Sequence, residues 1–67
     1  MKFRKGDYYL IKLYGKPAVA RILKPNKKDK AIEIQTLLVF IDHLVVRHQV
    51  SMSIKQNKLN QKLDYKN

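Results

Sequence analysis

From Tyr8 onward, apolar and polar positions alternate with a period of two. Tyr9, Ile11 and Leu13 fall on one side, and Tyr8, Leu10, Lys12 and Tyr14 on the other, as in a half-buried β-strand. Gly15-Lys16 has the glycine-first form of a two-residue type II′ turn. The expected hairpin therefore sets Tyr14 opposite Pro17, Lys12 opposite Val19, Leu10 opposite Arg21 and Tyr8 opposite Leu23. Its other side pairs Leu13 with Ala18, Ile11 with Ala20 and Tyr9 with Ile22. That second set is apolar or aromatic throughout and makes a core face, whereas the first displays two tyrosines beside Lys12 and Arg21.

The segment KPNKKDK, residues 24–30, ends this pattern with proline, asparagine and charge, and reads as a solvated loop. AIEIQ then alternates as a strand, with Ile32 and Ile34 on one side. Between Thr36 and Val50 the apolar positions also fit a helical stripe. Five valines and isoleucines between Val39 and Val50 favour two strands with a break near Asp42-His43. In the second strand Val46, His48, Val50, Met52 and Ile54 alternate with the more polar Val45, Arg47, Gln49, Ser51 and Ser53. Beyond Ile54 only Leu59 and Leu63 are aliphatic, and lysine, asparagine and glutamine dominate. The expected organisation is a small domain over residues 1–54 and a basic, largely disordered tail over residues 55–67.

Composition narrows the class. At 67 residues a single core supplies only about 3–5 kcal/mol of net stability. There is no cysteine, and the two histidines have no acidic or sulfur partners at ligand spacing, so neither disulfide nor metal is expected and self-association is the remaining staple. The lack of cysteine fits a reducing, cytoplasmic setting. No secretory signal is visible, since Lys2, Arg4 and Lys5 precede a stretch interrupted by Asp7, Lys12 and Lys16. TLLVFIDHLVV, interrupted by Asp42 and His43, is far short of the ~20 residues that span a bilayer.

The formal charge of +10 is the dominant chemical feature, and it is uneven. Residues 1–30 hold ten Lys/Arg against two Asp, a net of +8; residues 31–54 hold Arg47 against Glu33 and Asp42, a net of −1; residues 55–67 hold four Lys against Asp64, a net of +3. Such a field attracts polyanions, of which nucleic acid is the commonest. The candidate phosphate-binding residues are Lys2, Arg4, Lys5, Lys12, Lys16, Arg21, Lys24, Lys27, Lys28, Lys30 and Arg47. Tyr8 and Tyr14 are the candidate base-stacking residues, a contact worth about 1–3 kcal/mol per base. Each has a plainer reading, as solvated charge or as a ring covering the domain's edge. An enzyme is not expected: the five acids stand singly, and Gly6 and Gly15 are the only glycines, so a glycine-rich phosphate loop is missing. No cofactor, membrane or small-molecule substrate is expected either. The alternative function is an assembly module that recruits an acidic partner protein, with charge steering the encounter.

Four or five short strands in about 50 residues fit a small antiparallel barrel. KGDYYLIKLYGKPAVARIL resembles the first hairpin of SH3-like barrels of the KOW and Tudor kind, in which Gly-Asp precedes the first strand and a glycine-containing turn leads into the second. IKLYGKPAVARIL and HLVVRHQVSMS are similar to two segments of the bacterial Sm-like RNA chaperone family. That resemblance maps Arg47 and His48 onto a Lys-His pair that helps hold uridine-rich RNA in a ring pore. The chain lacks that family's N-terminal helix and has Ala20 at its usual second glycine. KGDYYLIKL also looks like the start of toxin ribonucleases of the MazF type, whose chains are longer. The expectation is thus an all-β, SH3-like barrel that binds RNA or DNA through a basic hairpin face.

Overall fold

A computed structural model describes residues 3–26 and 30–64. Five strands, β1 Tyr8–Leu13, β2 Lys16–Asn26, β3 Ala31–Ile41, β4 Leu44–Lys55 and β5 Gln61–Leu63, form one antiparallel sheet in the order β4-β3-β2-β1-β5. The only helical element among the described residues is a 3₁₀ turn at Gln56–Lys58. None of it is a helix long and apolar enough to cross a membrane. The stretch from Thr36 to Val50 is two strands joined at Asp42-His43, as its β-branched content predicts.

The first hairpin keeps the expected faces but not the expected register. Its turn is Tyr14-Gly15, closed by Leu13 opposite Lys16, so Tyr8 pairs with Arg21, Leu10 with Val19 and Lys12 with Pro17. Tyr14 (φ 52°) and Gly15 (φ 76°) both have positive φ, the requirement of a type I′ turn, whose twist matches the flanking strands. The change from the expected pairing slides one strand past the other by two residues. Side chains alternate with period two, so a two-residue slip leaves every residue on its face. Tyr9, Ile11, Leu13, Ala18, Ala20 and Ile22 are accordingly all buried.

Ile32, Ile34, Val39 and Leu59 complete the buried apolar set, with Phe3, Met52 and Ile54 packed against it. Phe3 lies over Tyr9, ring centroids 5.8 Å apart at 48°, a tilted arrangement typical of aromatic pairs. The pairing of β3 is interrupted near Leu37, where Ala20 faces Thr36 and Val19 faces Leu38. On β4, Val50 faces Thr36 and Arg47 faces Leu38. These bulges bend the strands and raise their twist. They also move the inward set of β3 from Ile32, Ile34 and Thr36 to Val39.

Thr36, 0% exposed, is the only buried polar residue among those described. Its Oγ1 is 2.7 Å from His48 Nδ1, 2.8 Å from the His48 carbonyl oxygen and 3.1 Å from that of Val50, and it accepts from the Val50 N–H at 3.2 Å. A hydroxyl has one proton to give. One arrangement satisfies the whole set: Oγ1–H donates to the nearer carbonyl while Nδ1–H and the Val50 N–H both donate to Oγ1, with His48 as the Nδ1–H tautomer. His48 is thus a structural residue that fastens the bulge.

The expected disordered tail does not hold for residues 55–64. Leu59 is 2% exposed in the core, and β5 pairs with β1, Tyr8 opposite Leu63 and Leu10 opposite Gln61. The Gln56 N–H donates to the Lys30 carbonyl at 3.0 Å, holding the 3₁₀ turn. Lys62 Nζ lies 3.5 Å from Asp7 Oδ2, and no hydrogen bond reaches that buried oxygen, so the pairing is electrostatic. One aliphatic residue at the right place anchors a segment too polar to collapse by itself.

Candidate nucleic-acid interface

The expected binding residues divide into separate groups in space. Lys2, Lys27 and Lys28 lie outside the described residues. Arg4 and Lys5 are exposed on the segment leading into β1. That segment is tied to β2 by the Gly6 N–H donating to the Ile22 carbonyl at 2.8 Å and the Ile22 N–H donating to the Asp7 carbonyl at 2.9 Å. Arg21 is half-buried between Tyr8 and Gln35 on the outer sheet face, its guanidinium donating to Gln35 Oε1 at 3.3 Å. Lys24 is exposed opposite Glu33. Arg47 is exposed on β4, three strands from Leu10 by way of Leu38 and Val19.

Tyr8 and Tyr14 do not form a common platform. Tyr8 is half-buried within β1, whereas Tyr14 is at the turn and 88% exposed. Five residues separate them, and the six steps from one to the other span about 20 Å of extended chain. The type II′ expectation had kept Tyr14 in the strand; the observed turn pushes it to the tip, with exposed Lys12 and Lys16 close in sequence on either side.

That position is conformationally costly. The first central residue of a type I′ turn favours glycine, asparagine or aspartate, and a bulky residue at positive φ is an outlier. Tyr14 carries that strain at φ 52° and gains almost no burial for its ring. Lys30 (φ 51°) and Asp42 (φ 54°) share the conformation, but Tyr14 alone of the three carries a large ring, and neither local propensity nor packing explains a tyrosine here.

A second cationic region comes from residues the sequence reading assigned to the tail. The 3₁₀ turn stands between two open hollows. One, of about 740 Å³, is lined by Phe3, Lys30, Lys55, Gln56, Asn57, Leu59 and Asn60. The other, of about 460 Å³, is lined by Leu10, Ile11, Lys12, Pro17, Asn57, Lys58, Asn60 and Gln61. Asn57 and Asn60 line both, so the turn links Lys30 on one side to Lys12 at the hairpin on the other. Carboxamides both donate and accept hydrogen bonds, and lysines supply point charges. Lys55 and Lys58 belong to the lysine tail that the sequence already offers for nucleic-acid binding; Asn57 and Asn60 are the members of this surface missed from sequence, and the only signal for their ordered placement was the isolated Leu59.

Among the described residues there is no group of three or more His, Cys, Asp or Glu placed to hold a metal ion. Comparison with known proteins finds no matching family model, no matching curated protein and no matching solved structure, so the functional reading rests on this geometry alone.

Proposed function

We propose that the protein is a non-enzymatic nucleic-acid-binding module that engages unpaired RNA or DNA. In this reading Tyr14 stacks on a base while Lys12, Lys16 and the cations along the 3₁₀ turn neutralise phosphates. The observation that carries it is the strained tyrosine, 88% exposed, beside two exposed lysines. Stacking requires an open base face, which single strands offer and a closed duplex does not. Asn57 and Asn60 add hydrogen bonding to base edges or sugar.

We read the sheet further as an SH3-like barrel. Support comes from the single core, the strand bulges, the long β2 and β3, and the 3₁₀ turn that precedes β5 beside β1. Such a fold leaves the first hairpin turn and the region around the 3₁₀ turn open to a ligand.

The same cations suit an acidic protein surface, and Tyr14 separates the two readings. Tyr14→Asn installs a favoured residue for the turn, so it should raise the urea midpoint while weakening binding to a single-stranded oligonucleotide about 5- to 150-fold, the equivalent of ~1–3 kcal/mol of stacking. Tyr14→Phe should retain binding. Unchanged affinity in the folded asparagine variant would leave charge alone as the determinant and favour the acidic-partner reading.

A further inference from the structure

The hairpin of β3 and β4 carries a second unusual surface, remote in character from the cationic ones. β4 is a terminal strand of the sheet, so among the described residues one of its two edges has no neighbour in the strand order. It runs for 12 residues, against 3 for β5 at the opposite edge. Edge strands are ordinarily kept short, bulged or guarded by charge and proline, because their free backbone groups template pairing with another chain. Between Leu44 and Val50 the only charged residue is Arg47, and there is no proline. Leu44, Val45, Val46 and Val50 are 66%, 58%, 40% and 44% exposed, and Leu38 and Ile41 of β3 are exposed beside them. A bulge protects the middle of the strand near His48, but the stretch before it pairs regularly with β3.

We infer that this edge is a homodimer interface, in which the regular Leu44–Arg47 stretch of β4 pairs antiparallel with the same stretch of a second copy about a two-fold axis between Val45 and Val46. Charge selects the occupant. A chain of net charge +10 repels its own copy over most of its surface, yet residues 36–50 hold one acid, Asp42, and one base, Arg47, for a net of zero. Two copies can therefore approach here with less repulsion than elsewhere, and an axis between Val45 and Val46 sets Arg47 opposite Leu44, not opposite its own copy. An acidic partner would find only Arg47 on this stretch, with the cationic surfaces elsewhere to attract it. Closure selects the symmetry. Self-pairing of one edge closes as a dimer, whereas pairing β4 with the β5 edge of the next copy would run on from copy to copy as an open chain. The dimer would extend the sheet across the axis, cover the apolar start of the exposed edge, and add stabilisation to a 67-residue core. The inference does not depend on nucleic-acid binding.

Sedimentation velocity of the full chain, without nucleic acid, tests it from 5 to 200 µM. A reversible monomer–dimer equilibrium is expected. Val45→Lys places a charge on each side of the axis at an exposed site and should weaken dimerisation at least tenfold, with the fold checked by circular dichroism. Tyr14→Lys adds the same charge at the far hairpin and should leave the dimer constant within about twofold. A monomeric wild type at 200 µM, a ring or open polymer, or equal effects of the two lysines would overturn the inference.

Discussion

Replacing Thr36 with valine keeps the shape of a side chain that is 0% exposed and removes only its hydroxyl. Three groups lose their partner: the Val50 N–H, the His48 carbonyl and His48 Nδ1–H. An unsatisfied buried polar group costs about 1–3 kcal/mol. The His48 ring is only half-buried, so water re-satisfies part of the set, and the substitution also removes a desolvated hydroxyl. The net loss should be about 1–3 kcal/mol, a large fraction of the ~3–5 kcal/mol available to so small a core. Urea unfolding followed by circular dichroism at fixed protein concentration measures it. Thermal midpoints should fall by roughly 4–8 °C for each kcal/mol. Nitrogen NMR of neutral His48 should report the Nδ1–H tautomer in the wild type and loss of that preference in Thr36→Val. A variant as stable as the wild type, or wild-type His48 in the Nε2–H form, would refute the reasoning about the bulge.

Three further outcomes follow from the packing and charge. Leu59→Ala should cost about 2–5 kcal/mol and leave the domain largely unfolded by circular dichroism; unchanged stability would show that residues 55–64 are not part of the core. Gly15→Ala meets no atom within 4 Å but keeps φ at 76°, so its loss is purely conformational, about 1–2 kcal/mol, measurable as a lower urea midpoint. Lys12→Ala with Lys16→Ala should lower the slope of log affinity against log salt for single strands by about 1.4, from ~0.7 for each phosphate contact; an unchanged slope would move the phosphate site away from the hairpin tip.

The faces of the sheet were legible in sequence because alternation is a local property. Tyr9, Ile11 and Leu13 against Tyr8, Leu10 and Lys12 needed no knowledge of the partner strand. Register was not legible, since Gly15 suits both the turn expected and the turn formed, and the difference lies in Tyr14 accepting a conformation its residue type disfavours. The bulge at Leu37 escaped notice for a related reason: a shift of the inward set from Thr36 to Val39 resembles helical spacing in a short apolar run. The last strand was hidden because its pairing with β1 joins opposite ends of the chain, and its anchor is a single leucine among polar residues. The candidate site was legible as a basic hairpin with an exposed tyrosine. Its extension along Lys55, Asn57, Lys58 and Asn60 depended on where the last strand returns.

Binding of a labelled single-stranded RNA and a duplex DNA of equal length, followed by fluorescence anisotropy at two salt concentrations, tests the nucleic-acid reading most directly. The account predicts salt-sensitive binding with the single strand preferred, and loss of that preference in Tyr14→Asn. No binding at low salt, or equal binding of both probes that is indifferent to Tyr14, would contradict it.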